Sequence, residues 1–328
     1  MKWLYIFIAF WVIVAITGWL LLPRVPFVSE PNLGVSFAKS QTESLNLNWQ
    51  EVYLAILDDL KVKNLRLQAN WNEIEPQLGV YNFTDIDWQI DEADKRGATV
   101  TLVIGKKLPR WPECHIPDWA ASLPTWEIED RVLDMLQATI LHFKDNFTIK
   151  RWQLENEPLF VFGDCPKPNL HFLKKELALL KSLDSRSVLI TDSGELSSWW
   201  ETAGLADIQG ATLYQVTWND GYGYWYYSVP KWFYRFKSAL ISPFVDYTII
   251  SELQMEPWGP VGLDKISLDA ARESFDLKRF RDNIEFFRGT GLPEAYLWGV
   301  EWWYKAKVLG DESLWNEARI MFNQQNSL

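Results

Sequence analysis

Hydrophobic residues follow two alternating patterns along most of the chain. Short apolar runs rich in β-branched residues predict strands, and longer segments with apolar residues three or four positions apart predict helices. Continuous runs such as Ala98–Ile104 (ATVTLVI) are typical of parallel strands buried on both faces. The predicted strands are Leu33–Phe37, Asn64–Ala69, Ala98–Ile104, Ile149–Glu155, Ser187–Thr191, Ile208–Tyr214, Tyr247–Glu252 and Ala295–Val300. The predicted helices are Trp49–Lys61, Asp85–Arg96, Glu127–Phe147, Asn169–Leu183, Ser198–Thr202, Lys231–Leu240 and Ala271–Arg288.

Eight strands separated by helices predict a (β/α)8 TIM barrel, an α/β fold, over residues 33–328. An open doubly wound sheet is the alternative, but its first turn usually carries glycines that approach a phosphate. The first turn here, Ala38–Gln41 (AKSQ), has no glycine. We therefore expect one barrel domain.

A membrane segment is predicted ahead of the barrel. Residues 3–22 are uncharged and predominantly apolar, and about 20 such residues span a bilayer core of roughly 30 Å. A cleaved signal peptide has a shorter apolar region and small residues at the cleavage site. We therefore predict a transmembrane signal anchor over residues 1–24, with residues 3–22 in the lipid bilayer. Residues 25–32, which contain Pro26 and Pro31, are predicted to form a stiff stalk.

This segment predicts a single-pass membrane protein whose barrel is extracytoplasmic, because Lys2 and the amino terminus favour a cytoplasmic N-terminus. Secretion after signal cleavage is the alternative.

Composition narrows the choice of partner. The formal net charge of −11 argues against nucleic acid, whose phosphates require a basic surface. Three histidines and two cysteines give little basis for a metal site or a redox dithiol, and no cofactor is predicted. Twenty tryptophans indicate flat apolar surfaces that can also donate hydrogen bonds.

Carboxylates and aromatic residues follow several predicted strands. Glu157 follows the fourth strand and Glu252 ends the seventh. In a TIM barrel the ends of the strands meet at one face, where catalytic residues lie. Two carboxyl groups are what cleavage of a glycosidic bond requires, since one protonates the leaving oxygen and the other meets the oxocarbenium-like centre. The sequence therefore predicts a carbohydrate substrate.

Three segments resemble glycoside hydrolase clan A, the retaining (β/α)8 glycosidases. WQLENEP (Trp152–Pro158) looks like the clan's Asn-Glu-Pro motif after strand four, and IISELQ (Ile249–Gln254) resembles its strand-seven end. LRLQANWNEIEPQLGVYNFTDID (Leu65–Asp87) is similar to the early part of many clan members. The resemblance covers the barrel to about Lys305.

The resemblance implies specific roles at the two strand ends. Glu157 matches the general acid/base and Glu252 the nucleophile. Asn156 matches the residue that contacts the sugar 2-hydroxyl. Arg66 and Tyr214 match residues that hydrogen-bond the nucleophile and keep it ionised.

Tryptophans are the expected sugar-stacking residues. Trp302 resembles the clan's strand-eight tryptophan that forms the floor of the sugar site, although Trp298 and Trp303 are rivals. Trp71 and Trp218 follow strands two and six and are predicted to contact substrate. The aromatic run 222–227 predicts either a glycan-binding wall or a contact with lipid.

Alternatives remain for both carboxyl groups. Glu155 lies two residues before Glu157 and so points to the same side of an extended strand. Glu256 lies four residues after Glu252 and competes with it as nucleophile.

The two cysteines are predicted to form a disulfide. Cys114 and Cys165 follow strands three and four, which are neighbours in the barrel, and an extracytoplasmic location permits oxidation.

The predicted function is a membrane-anchored retaining glycoside hydrolase or transglycosylase that cleaves a β-glycosidic bond by double displacement. The alternative is a catalytically silent carbohydrate-binding barrel of envelope or polysaccharide assembly.

Overall fold

Eight parallel strands close into a barrel in the computed structural model, which describes residues 2–327. Residues 2–327 form ten strands, all of which except β7 and β8 belong to the barrel: β1 (Asn32–Ser36), β2 (Asn64–Gln68), β3 (Thr99–Ile104), β4 (Ile149–Leu154), β5 (Val188–Asp192), β6 (Ile208–Leu213), β7 (Val216–Asn219), β8 (Gly223–Tyr226), β9 (Tyr247–Gln254) and β10 (Glu294–Trp298). Around the barrel the order is β1, β10, β9, β6, β5, β4, β3, β2, with every neighbouring pair parallel. The predicted TIM barrel and its eight strands are confirmed.

Helices surround the barrel and bury its outer face, except for the first helix, whose residues are almost all exposed. They are α1 (Lys2–Leu21), α2 (Lys39–Ser44), α3 (Trp49–Asp58), α4 (Trp71–Ile74), α5 (Thr84–Asp94), α6 (Thr125–Phe143), α7 (Leu170–Leu183), α8 (Trp200–Ala203), α9 (Lys231–Ile241), α10 (Leu268–Ser274), α11 (Leu277–Arg288), α12 (Val300–Val308) and α13 (Ser313–Gln325). One continuous apolar core joins strands and helices. The short helices α2 and α4, and the two helices α12 and α13 that follow β10, extend the predicted set.

The predicted helix Ala271–Arg288 is wrong, because it is two helices. Phe275 is extended, with φ −149° and ψ 111°, and it ends α10. Asp276 then begins α11, and its carboxylate accepts a hydrogen bond from the Arg279 amide, as helix-capping aspartates do. The apolar periodicity continues across the break, which hid the cap from pattern analysis.

The aromatic segment after β6 is a hairpin rather than an irregular loop. Strands β7 and β8 pair antiparallel, with Trp218 opposite Tyr224. Tyr222 in the turn and Trp225 on β8 are exposed. The hairpin therefore projects aromatic side chains from the end of the barrel where the strands finish, called the mouth below.

The last barrel strand is shorter than the predicted Ala295–Val300. It ends at Trp298 because Gly299 has φ 128°, a conformation that glycine adopts readily, and α12 begins at Val300. Trp302 consequently lies on a helix and not at the strand end.

Within residues 2–327, one helix is long and apolar enough to cross a membrane by length and composition. This helix, α1, packs on α9, where Gly18 lies against the ring of Phe236. Residues 25–32, for which a stiff stalk is predicted, contact the barrel domain. Arg235 donates two hydrogen bonds to the Val25 carbonyl, and the Val28 amide donates one to Gly291, so the segment lies against the start of β10.

A polar network fills the barrel interior near the strand starts. Arg151 donates hydrogen bonds to the hydroxyl groups of Thr101, Tyr247 and Tyr296, and it pairs with Glu294. A buried guanidinium needs this number of partners to offset the loss of water. The network joins β3, β4, β9 and β10 beneath the residues of the mouth.

Candidate active site

Glu252 is held by two hydrogen-bond donors at the mouth of the barrel. Arg66 reaches across from β2 and places Nη1 3.0 Å from Glu252 Oε1. The Tyr214 hydroxyl, just past β6, donates to Oε2 at 3.1 Å. Glu252 is 4% exposed. Because both carboxylate oxygens accept hydrogen bonds, one of them from a cation, the ionised form of Glu252 is stabilised.

The Arg66 guanidinium is itself fixed on every side. Its Nε donates to Gln153 Oε1 at 2.7 Å and its Nη2 to Asn156 Oδ1 at 2.9 Å, while Nη1 also reaches Ser36 Oγ at 3.2 Å. Four strands and the turn after β4 are thereby tied to one planar group. The arrangement sets the position of Asn156 relative to Glu252.

Glu157 stands in a tight turn directly after β4. Its φ is +43°, and its backbone amide donates to Thr191 Oγ1 at 2.8 Å. The side chain is buried, and this burial, followed by the negative charges of Glu252 and Glu113, raises its pKa well above the usual range for glutamate. The raised pKa favours the protonated form of Glu157, which lies near a Glu252 carboxylate whose two oxygens both accept hydrogen bonds.

The two rival glutamates have other partners. The Glu155 carboxylate accepts the backbone amides of Lys106 at 3.0 Å and Lys107 at 2.6 Å, so it is turned into the loop after β3. Glu256 pairs with Arg110 and has no contact with Arg66 or Tyr214 among the hydrogen bonds of residues 2–327. Neither rival therefore shares the Arg66 and Tyr214 contacts that hold Glu252.

A third carboxyl group, which sequence reasoning missed, joins the site. Asn156 Nδ2 lies 3.3 Å from Glu113 Oε2, so the amide group expected to contact a sugar hydroxyl is occupied by Glu113. Burial, and then the charge of Glu252, raises the pKa of Glu113 to about 8. The only signal in the sequence was its position beside Cys114.

Arg110 is a second addition from the same loop. Its Nη1 lies 2.5 Å from Glu256 Oε1 and its Nη2 lies 2.9 Å from Glu301 Oε2. The guanidinium carbon lies 3.8 Å from the centroid of the Trp298 ring, a cation–π stacking distance. All four side chains are buried.

The structure places the predicted tryptophans unequally. Trp302 lies among helices α10 to α13, where it lines a cavity with Phe275 and Leu314, so its predicted place in the sugar site is wrong. Trp298, the last residue of β10, stands at the mouth instead. Trp71 is fully buried with its indole N–H donated to Glu75, so it has no face available to a sugar.

Trp218 remains available at the mouth. It is half-buried on the hairpin, edge-to-face with Tyr224 at 4.8 Å between ring centroids.

The predicted Cys114–Cys165 disulfide is present, with its two Cα atoms 5.2 Å apart. It joins the loops that follow β3 and β4, which carry Glu113 and Glu157.

No family model matches the chain. Its fold is similar to xylanase 10B from Thermotoga petrophila RKU-1 in complex with xylobiose, at 15% identity over 83% of each chain and a TM-score of 0.55. It is similar to GH5_18 from Streptomyces cattleya in complex with GlcNAc, at 12% identity over 82% of this chain and 70% of that one (TM-score 0.55). It also resembles the family 1 β-glucosidase from Thermotoga maritima, at 13% identity over 83% of this chain and 88% of that one (TM-score 0.55). All three are clan A (β/α)8 glycosidases, so the predicted resemblance is confirmed at the level of the fold.

Proposed function

We propose that the protein is a retaining glycoside hydrolase with Glu252 as nucleophile and Glu157 as general acid/base. The observation that carries the proposal is the contrast between the two carboxyl groups. Arg66 and Tyr214 donate hydrogen bonds to Glu252, whereas burial and the charge of Glu252 raise the pKa of Glu157. A nucleophile must begin ionised and a general acid must begin protonated.

The reaction proceeds in two displacements. The Glu252 carboxylate attacks the anomeric carbon while the glycosidic C–O bond breaks, and the leaving oxygen takes the proton of Glu157. Forming the glycosyl ester removes the negative charge of Glu252, which lowers the pKa of Glu157 and leaves it ionised. Glu157 then accepts a proton from water, whose oxygen attacks the anomeric carbon and releases Glu252. A sugar hydroxyl in place of water gives transglycosylation.

The proposed setting is extracytoplasmic, with α1 as a membrane anchor and the barrel from residue 33 as the catalytic domain. The length and composition of α1 support this, and so does the disulfide, because disulfides persist in oxidising compartments.

Variants of the three glutamates test the reacting pair on a panel of aryl β-glycosides. Glu252→Ala should abolish turnover, and added azide should restore it with formation of a glycosyl azide. Glu256→Ala is the matched control, since it removes a nearby carboxylate that has different partners. Azide rescue of Glu256→Ala without rescue of Glu252→Ala would transfer the nucleophile to Glu256.

The acid/base assignment is tested through the leaving group. Glu157→Gln should slow hydrolysis of glycosides with poor leaving groups much more than that of dinitrophenyl glycosides, which need no proton. Equal losses on both would remove Glu157 from the role. Proton NMR of the first product formed should show the β-anomer, and an α-product would contradict retention.

A further inference from the structure

The loop after β3 crosses the mouth of the barrel. It comprises residues 105–117 and is here called the strap. Its tip is a turn in which the Leu108 amide donates to the Glu113 carbonyl at 2.8 Å and the Glu113 amide donates to the Arg110 carbonyl at 2.7 Å. The Cys114–Cys165 disulfide fixes the returning limb to the loop after β4. Arg110 therefore lies at the tip of a loop that is held by backbone hydrogen bonds and a disulfide.

The strap bridges opposite sides of the barrel. It leaves from β3, whereas its tip residue Arg110 pairs with Glu256, just past β9, and with Glu301, near the end of β10. In the ring order, β3 and β9 are four strands apart and so face each other across the mouth. The guanidinium also stacks on Trp298. A chain of buried ion pairs and a ring contact thus crosses the opening.

This crossing divides the mouth into two arcs. Strands β1 and β2 lie on one side of it, and β4, β5 and β6 lie on the other. Glu157 belongs to the second arc because it follows β4. A general acid protonates the leaving oxygen, so the leaving group must lie towards Glu157 and the glycone towards the strap.

Buried polar atoms without hydrogen-bond partners lie on the β1–β2 arc. Gln68 is the last residue of β2, and neither the oxygen nor the nitrogen of its side-chain amide forms a hydrogen bond within residues 2–327. Asn70 Oδ1 also lacks a hydrogen bond there. Both side chains are more than nine-tenths buried. Buried amides without partners are costly, and sugar hydroxyls supply both donors and acceptors. These atoms suit the hydroxyl groups of a sugar bound on the β1–β2 arc.

We infer that the enzyme is exo-acting: it takes the non-reducing end of a β-linked chain and releases one sugar at a time. The inference rests on the glycosidase function proposed above. A second glycone sugar would have to pass through the Arg110–Glu256–Glu301 contacts. On the other arc the hairpin exposes Tyr222 and Trp225, which can stack on the sugars of the leaving chain.

The test uses the full-length protein in detergent and the sugar found from the aryl β-glycoside panel. The probes are β-linked tetramers and hexamers of that sugar, labelled at the reducing end, with a matched set blocked by a ketal at the non-reducing end. We expect the unblocked chains to shorten by one sugar per step. We expect the blocked chains to react at least a hundredfold more slowly.

Two results overturn the inference. Early products of intermediate length would show internal cleavage, and so would equal rates on blocked and unblocked chains. Either result would leave the glycosidase proposal standing. Failure to hydrolyse any aryl glycoside or unblocked chain would instead defeat the proposed function and, with it, this inference.

Variants of Arg110 test the strap itself. Arg110→Ala removes the bridge and should raise the ratio of internal to terminal cleavage at least tenfold, whereas Arg110→Lys keeps one ion pair and should change that ratio less. Circular dichroism establishes that both variants fold. A folded Arg110→Ala variant with an unchanged ratio would remove the strap as the cause of terminal cleavage.

Discussion

Replacing Glu113 by Gln should remove a large part of the pH dependence of stability. The Glu113 side chain is buried beside Asn156, with its carboxyl oxygen 3.3 Å from Asn156 Nδ2. Burial first, and then the charge of Glu252, raises its pKa to about 8, although Lys107 and Arg66 oppose the shift. Gln keeps the size and the acceptor oxygen of the side chain but does not ionise.

The direction follows from the proton that each state binds. In the unfolded chain a glutamate loses its proton near its ordinary pKa of 4.5, whereas folded Glu113 keeps it to about pH 8. Between these values the folded state binds one more proton, so the free energy of unfolding falls as pH rises. The slope is about 1.4 kcal/mol per pH unit, which gives an upper limit of about 5 kcal/mol across the window.

Urea unfolding followed by circular dichroism, at pH 5, 6, 7 and 8, measures this effect. The stability of Glu113→Gln relative to wild type should increase steadily with pH and level off above pH 8. Glu157 also has a raised pKa, and its two largest causes, burial and the charge of Glu252, are the same in both proteins. The exposed Glu201→Gln variant is the control and should show no such trend. A difference for Glu113→Gln that stays constant from pH 5 to pH 8 would refute the reasoning.

Three further predictions concern the surroundings of the nucleophile and the disulfide. Arg66→Met leaves the Glu252 carboxylate buried without its cation, so urea unfolding should show a free energy of unfolding about 3–5 kcal/mol lower than that of the wild type. Unchanged stability would contradict the pairing. Tyr214→Phe removes the hydrogen bond to the Glu252 carboxylate. Such a bond to a charged group is worth about 1.5–3 kcal/mol, so kcat/KM should fall about 10- to 150-fold. A smaller loss would show that Tyr214 is dispensable. The Cys114→Ser/Cys165→Ser double variant opens a loop spanning 51 positions, so its free energy of unfolding should be about 4 kcal/mol lower than that of the oxidised wild type. Equal stability of the two proteins would exclude this contribution.

The barrel could be predicted, and the two glutamates proposed as the reacting pair could be singled out, because both leave local patterns in the sequence. Apolar β-branched runs mark the eight strands, and the motifs around Glu157 and Glu252 lie directly at or near strand ends. The contacts of Arg66 and Tyr214 with Glu252 follow once those strands close into a ring.

The remainder of the site depends on contacts between distant parts of the chain. Arg110 and Glu256 are 146 positions apart, and no local pattern shows that a loop residue will cross the mouth. Trp298 and Trp302 were indistinguishable because the end of β10 depends on the backbone conformation of Gly299. Glu113 carried no motif of its own.

The place where α1 joins the barrel determines which way the enzyme faces. The chain enters at the starts of β1 and β10, whereas Glu157 and Glu252 lie at the opposite end. Strands of five to eight residues rise about 3.3 Å per residue, so roughly 20 Å of protein separates these ends. With α1 embedded in a bilayer, as we propose, the opening points outward. If the proposed activity and anchor both hold, glycans in the surrounding medium are nearer to the mouth than the headgroups of the protein's own lipid leaflet.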